Sequence, residues 1–338
     1  MFQKVHRKPL KGSQVRVSVV ASAANYFDLL MLVGRYQFKP SLPAVIGAEA
    51  SGVVIEIGKN VKTVRVGDSV MVGMGIGRMA EELIVSENEC LPKPTGFTHV
   101  EAAGFAVGYL TGYHGLVQRG QLRSGQTLLV TGAAGGMGAS AVQIGVALGA
   151  TVIAVVSDDD KARVATKLGA QHVINYTKED MKNRVGEITQ GKMVDVIYEV
   201  VGGDMFNQCV KCIGAGGRLL VVGFASGSIP SLPINLPLIK GFSLVGVRSG
   251  WILVPIVFAG AEIARDPGLL LEMIRELPKF TATGTGRNSI FSSAPYVHPQ
   301  NVYTTENFKE ALAVVASRKV VGKSVIQWRN EPLRRAKL

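Results

Sequence analysis

Cysteine is nearly absent: Cys90, Cys209 and Cys212 are the whole complement of 338 residues. So low and odd a count excludes a disulfide framework and points to a reducing compartment. Cys209 and Cys212 have the spacing of half a zinc knuckle, yet no second cysteine or histidine pair completes it. In a helical stretch that spacing only sets two thiols on one face. Long apolar runs are missing too. The most apolar stretch, residues 251–259, is short and broken by Pro255, which argues against a membrane span. No charged-then-apolar signal segment opens the chain. Charged residues are sparse at 18% against 47% hydrophobic, a balance that suits a doubly covered parallel sheet and excludes disorder. Internal repeats, a nucleophile triad and paired carboxylates are all lacking, which argues against hydrolysis.

Acidic residues are outnumbered, 25 to 37, and the excess of +12 sits at the chain ends: +5 within residues 1–16 and +6 within 318–338. Neither end carries an aromatic stacking platform or a recognition helix, so both read mainly as solvated termini rather than nucleic-acid surfaces. The last three residues, Ala336-Lys337-Leu338, resemble the Ser-Lys-Leu peroxisomal address, which a receptor reads and which anchors nothing. The expected location is therefore peroxisomal or cytoplasmic.

What is present in strength is glycine between 132 and 138. An apolar strand at 127–131 runs into Gly132-Ala133-Ala134-Gly135-Gly136-Met137-Gly138, followed by helical spacing over 139–148 and another strand at 151–156. This is the first strand–turn–helix unit of a dinucleotide-binding domain. Glycines admit a pyrophosphate close to the backbone, and the helix N-terminus offers it free N–H groups.

Ahead of that unit the chain is β-rich. Val15, Val17 and Val19 alternate with Arg16 and Ser18 as in a half-buried strand, and short strands are expected at 52–57 and 69–72. Beyond it strands at 172–174, 194–200, 218–223 and 243–247 alternate with helices at 161–168, 179–189, 204–213, 257–265 and 268–277. This alternation implies a parallel sheet covered on both faces. A polar loop at 281–300, a helix at 306–316 and a strand at 322–327 close the chain.

Pro43, Gly47, Glu49, Gly52, Val54, Gly58, Val61, Gly67, Asp68 and Val70 resemble, in type and spacing, the GroES-like domain of medium-chain dehydrogenases/reductases. Asn25-Tyr26-Phe27-Asp28, Gly34, Tyr36 and Thr111-Gly112-Tyr113 resemble the quinone oxidoreductase branch, the neighbourhood of zeta-crystallin and the zinc-free enone and prostaglandin reductases. The resemblance implies an α/β architecture: a Rossmann doubly wound parallel sheet plus a GroES-like β-rich domain. The ranges expected are 1–108 for the GroES-like catalytic domain, 109–270 for the Rossmann domain and 271–338 for the return to the first. Family members carry a β-hairpin before the strand at Val15 that this sequence lacks, and the 281–300 loop is longer than usual.

Further expectations follow from the resemblance. Zinc-dependent relatives set a cysteine and a histidine on the catalytic metal where this chain has Asn25 and Ala48, so no catalytic metal is expected. The cofactor-binding residues implied are Thr111, Ala134, Gly135, Gly136, Met137, Gly138, Ser157, Lys161, Tyr176, Val201, Gly223 and Phe224, with Gly322-Lys323 completing the cleft. Lys161 and Tyr176 match the lysine and tyrosine that hold the 2′-phosphate of NADPH in relatives, whereas Asp158 beside them would favour NAD. NADPH is the cofactor expected. Asn25, Tyr26 and Tyr36 are the candidate catalytic donors to the acceptor oxygen, although Tyr26 equally suits a pocket wall, and His114 reads as a packing residue. The implied activity is zinc-independent hydride transfer to a quinone or an α,β-unsaturated carbonyl by a homodimer. Two alternatives stand beside it: an enone-lipid reductase of the 15-oxo-prostaglandin kind, and a non-catalytic, RNA-binding protein like zeta-crystallin.

Overall fold

The computed structural model describes residues 6–73, 75–248 and 294–329. The expected helices at 257–265 and 268–277, most of the 281–300 loop and the terminal Ala336-Lys337-Leu338 lie outside the described residues.

Two sheets organise the rest. The first has seven strands: β1 (Gln14–Ala24), β2 (Glu49–Ile57), β3 (Ser69–Val72), β4 (Glu82–Ser86), β5 (Cys90–Pro92), β12 (Val302–Thr304) and β13 (Ser324–Gln327). Its spine runs β12-β13-β1-β2-β3-β5. One edge of β1 pairs with β2, and the other is shared between β4 at Gln14–Ser18 and β13 at Ala21–Ala24. Val15, Val17 and Val19 pack a core with Val54, Val70 and Leu83.

The alternation in β1 predicts one wet face, and the structure corrects this: Arg16 and Ser18 are buried as well. Ion pairs close that face, with Arg16 Nε 2.7 Å from Glu56 Oε2 and Nη1 3.6 Å from Glu82 Oε2. Arg7 also pairs with Glu82, so the basic N-terminal stretch is not simply solvated.

The second sheet is wholly parallel, in the order β8-β7-β6-β9-β10-β11. Its strands are β6 (Thr127–Thr131), β7 (Thr151–Val156), β8 (His172–Asn175), β9 (Val194–Glu199), β10 (Ile213–Val221) and β11 (Ser243–Gly246). The helices α4 (Gly136–Ala147), α5 (Asp159–Lys167), α6 (Met181–Ile188) and α7 (Gly203–Cys212) connect successive strands. This is the Rossmann order, and it reverses between β6 and β9, where open α/β sheets bind ligands. Cys209 and Cys212 lie buried and unpaired on α7 within the core, as their helical spacing suggests. Among the described residues no helix is long and apolar enough to cross a membrane.

Between the sheets the chain is helical from α2 (His99–Ala103) through α3 (Thr111–Tyr113) to Arg119. Two wide π turns, Ala106–Leu110 and His114–Arg119, flank α3. Such turns inside helices often mark functional sites. His114 bonds Gln118 one turn on, 2.6 Å away, consistent with a packing role.

Candidate functional site

The glycine turn has the geometry of a dinucleotide cradle. Gly132 takes a positive φ of 57°, and a Cβ on Gly138 would stand 2.1 Å from the Gly132 carbonyl oxygen, so only glycine fits there. Gly135 caps α4, which leaves the first N–H groups of that helix without intrahelical acceptors and aimed outward. Ala134 is fully buried beneath the turn. Its carbonyl accepts from Gly322 N at 2.7 Å, which sews the turn to the segment leading into β13.

At the end of β7 lies a compact polar corner. Lys161 Nζ donates to Ser157 Oγ at 2.8 Å and stands 3.1 Å from Asp158 Oδ2. Asp158 is the N-cap of α5, accepting from Lys161 N at 2.9 Å and from Ser157 Oγ at 2.9 Å. Burial alone would raise its pKa, but these donors and the Lys161 ammonium outweigh burial and hold it below the usual carboxylate value. The expectation that Asp158 competes for the ribose is thereby weakened, because its oxygens serve the helix and the lysine. Tyr176 donates its backbone N–H to Val156 O at 3.1 Å, which brings it beside the same strand end with its side chain exposed.

The loops after β9 and β10 are bonded into one ledge across the switch point. Ser226 N donates to Val201 O at 2.7 Å, and Ala225 N to Val200 O at 3.0 Å. Val201 N in turn donates to Glu199 Oε1 at 2.7 Å, and burial raises the pKa of that carboxyl. Gly223 and Phe224 belong to this ledge, and a side chain on Gly202 would strike Phe224 Cδ1 at 2.9 Å. Thr111, buried at the centre of the intersheet helix, has no partner for its hydroxyl. A buried orphaned donor suits the polar end of a bound group.

Facing the ledge is α1 (Tyr26–Leu32), with Asn25 as its N-cap. Any side chain on Gly227 would come within 3.8 Å of the Tyr26 hydroxyl, so Tyr26 spans the cleft. Tyr36 stacks on Phe27 with ring centroids 5.5 Å apart. Burial raises the Tyr36 pKa and Asp28 adds to the rise while Arg248 opposes it, so the phenol keeps its proton.

Behind Tyr26 lies a buried cluster of charges. Asn25 Nδ2 donates to Glu49 Oε1 at 3.0 Å, and Lys323 Nζ donates to Asn25 Oδ1 at 2.7 Å and Glu49 Oε1 at 2.5 Å. Glu49 Oε2 accepts from Val107 N at 2.8 Å, and Asp28 Oδ2 accepts from Asn25 N at 2.8 Å. Burial pushes the Asp28 pKa up to about 7, the Glu49 charge reinforcing it against Lys323 and the backbone donors.

This arrangement has known counterparts. The model for the alcohol dehydrogenase GroES-like domain matches residues 11–116, and the one for zinc-binding dehydrogenase matches 136–253. The "Quinone oxidoreductase-like protein 2 homolog" of Nematostella vectensis is 37% identical over 96% of this chain and 84% of its own length. The chain belongs to the medium-chain dehydrogenase/reductase family, as a quinone oxidoreductase-type member. Escherichia coli quinone oxidoreductase 1 is 34% identical over 68% of the chain and 70% of its own length. A crystal structure of Escherichia coli quinone oxidoreductase with NADPH superposes with a TM-score of 0.81 at 27% identity, covering 96% of this chain and 95% of that one.

The zinc-binding dehydrogenase family implies a metal, and the residues here do not fit one. Asn25 and Ala48 supply neither thiolate nor imidazole, and a lysine ammonium sits against Asn25 and Glu49 where a cation would have to go. A dinucleotide does fit. Gly138 leaves room only for backbone, the first turn of α4 is open, Thr111 Oγ1 lacks a partner, and Lys161, held by Ser157 and Asp158, offers an ammonium at the strand end.

Of the expected residues, the structure brings Ala134, Gly135, Gly136, Met137 and Gly138 onto one turn and Ser157 and Lys161 into one corner. Val201, Gly223 and Phe224 share the ledge, Tyr26 reaches towards it, and Asn25 lies in the buried cluster behind Tyr26. The role of Lys323 was expected only as closing the cleft. Its partnership with Glu49 bridges 274 residues of sequence, and the signal available for it was a lone charge on an apolar closing strand.

Proposed function

We propose that this chain is a zinc-independent, NADPH-dependent reductase that delivers hydride to quinones or α,β-unsaturated carbonyls. The observation that carries the reading is the Ser157–Lys161 corner, a hydroxyl and an ammonium 2.8 Å apart at the end of β7, one strand from the glycine turn. A 2′-phosphate needs a cation and donors there, whereas a bare ribose needs a free carboxylate, and Asp158 is already engaged. The NADPH complex of the Escherichia coli relative supports the same cofactor.

When bound, NADPH supplies the hydride, and the protein contributes position and electrostatics. The N–H groups at the start of α4 hold the pyrophosphate, Lys161, Ser157 and Tyr176 hold the 2′-phosphate, and the Thr111 hydroxyl meets the nicotinamide end. Val201, Gly223 and Phe224 wall the crevice and exclude water. Asn25 offers an N–H to the acceptor oxygen as negative charge grows on it, and the Tyr26 and Tyr36 phenols are the candidate proton sources.

We also propose a homodimer across β11. Its outer edge is free of strand partners among the described residues, and Ile234, Leu238, Ile239 and Leu244 near it are exposed. Open edges with apolar neighbours are commonly covered by a second copy.

The test is oxidation of NADPH, and separately of NADH, with an ortho-quinone and with a linear enone. Turnover preferring NADPH is expected, and the faster acceptor names the substrate class. Tight NADPH binding with neither acceptor reduced would refute the reading.

A further inference from the structure

The Asn25 carboxamide has two ends of similar shape and opposite hydrogen-bonding sense, so its partners decide which way it points. Here both partners carry full charge. The Lys323 ammonium donates to Oδ1 and the Glu49 carboxylate accepts from Nδ2. A half-turn of the amide would set its NH2 against the ammonium and its oxygen against the carboxylate, two repulsive contacts in place of two attractive ones. All three groups are at most 7% exposed, so water cannot soften either clash.

The two charged partners are themselves fixed. Glu49 uses Oε1 for Asn25 and Lys323, and Oε2 for the backbone N–H of Val107. The Lys323 stem threads between two glycines: a Cβ on Gly136 would lie 2.6 Å from its Cδ, and one on Gly104 would lie 3.1 Å from its Cγ. Lys323 therefore rests on the first residue of α4, the helix that opens from the dinucleotide turn, while its head grips the cap of α1 in the other sheet's territory. A buried ion pair is a weak source of net stability compared with apolar packing. Its retention against an amide points to orientation.

We propose that Glu49 and Lys323 are positioning residues that lock the Asn25 carboxamide so that its remaining Nδ2 hydrogen faces the acceptor oxygen. This rests on the reductase reading above. Asn25 spends one of its two N–H bonds on Glu49 and keeps one for the acceptor. The ammonium on Oδ1 polarises the amide and strengthens that donor where charge develops during hydride arrival.

The test uses four forms of the full chain: wild type, Lys323→Met, Glu49→Gln and the double variant Glu49→Gln/Lys323→Met. The double variant restores charge balance, so it separates folding from positioning. Its thermal midpoint is expected near wild type, above at least one single variant. Its kcat with NADPH and an ortho-quinone is expected to fall 10- to 100-fold, while the NADPH Kd and the quinone KM stay within threefold. A second readout needs no turnover. In protein labelled with 15N-asparagine, the Asn25 side-chain signal, identified by its loss in Asn25→Ala, is expected to be exchange-protected in wild type and averaged in the double variant. A freely exchanging Asn25 amide in wild type, or a double variant with wild-type kcat, overturns the proposal. Wild-type protein that turns over neither acceptor refutes the reductase reading instead, and the amide signal still decides whether Glu49 and Lys323 lock Asn25.

Discussion

On the proposed function, Lys161 distinguishes two dinucleotides through a single charge. Its ammonium already bonds Ser157 and Asp158, so the side chain is ordered before a ligand arrives. Charge-assisted bonds of this kind contribute about 1.5–3 kcal/mol, so Lys161→Ala should weaken NADPH roughly 10- to 100-fold while leaving NADH within about threefold. Fluorescence titration with each nucleotide checks this, and equal losses for both would remove the 2′-phosphate assignment. Asp28 gives a prediction of another kind. Burial raises its pKa from 3.8 to about 7 in the folded protein, so the native state binds this proton more tightly than the unfolded chain does. Well below pH 3.8 both states are protonated and the group is neutral to stability; the penalty for ionising it grows as pH rises and is complete above 7. This one group should therefore cost about 3 kcal/mol of stability between pH 5 and pH 8, and Asp28→Asn should remove that dependence. Urea unfolding of both proteins at the two pH values measures it; parallel curves would show that Asp28 is not the titrating group. At this scale the sequence points to candidate residues but not to their company. Asn25 and Lys161 were identified from motifs, whereas the contact of Asn25 with Lys323 joins positions 298 residues apart.

Among the elements, the most legible are those whose pattern is purely local. The strands β3, β6 and β7 occupy the residues that their apolar runs indicate, because a fully buried strand announces itself without reference to its neighbours. The strand β10 begins at Ile213, five residues before the expected start, because paired backbone extends through a glycine-rich, partly exposed stretch that has no apolar pattern. The both-sided burial of β1 was not legible either, since its polar face is closed by Glu56 and Glu82 from other strands. The glycine turn is where local sequence and tertiary demand agree. With Gly132 O only 2.1 Å from the place of a Cβ, Gly138→Ala should force the strand and helix apart. We expect a loss of about 3 kcal/mol, the upper end of overpacking costs, and a midpoint roughly 10 °C lower. Calorimetry would show this, together with lost nucleotide binding; an unchanged midpoint would mean that the turn tolerates a methyl group and is not a tight cradle.

For the whole molecule, the links between the two sheets include the helical stretch from His99 to Arg119, the Gly322–Ala134 backbone bond, and Lys323. The cleft they frame takes its donors from one sheet and its dinucleotide turn from the other, so neither alone holds a complete site. Among the described residues the outer edge of β11 has no strand partner, which extends the same logic to a second copy. Sedimentation should find a dimer, and Leu238→Glu with Ile239→Glu should yield monomers; a monomeric wild type would leave that apolar edge to another partner. On the proposed function, hydride is transferred in the cleft between the sheets. The most direct measurement of that transfer is a single turnover with NADPH deuterated on one or the other face of nicotinamide C4, against an ortho-quinone and a linear enone. The account predicts a primary isotope effect from one face only, with the label recovered on the β-carbon of the enone if that acceptor is reduced. Slow decay that is equal for both deuterated forms, or no nucleotide oxidation at all, would contradict it.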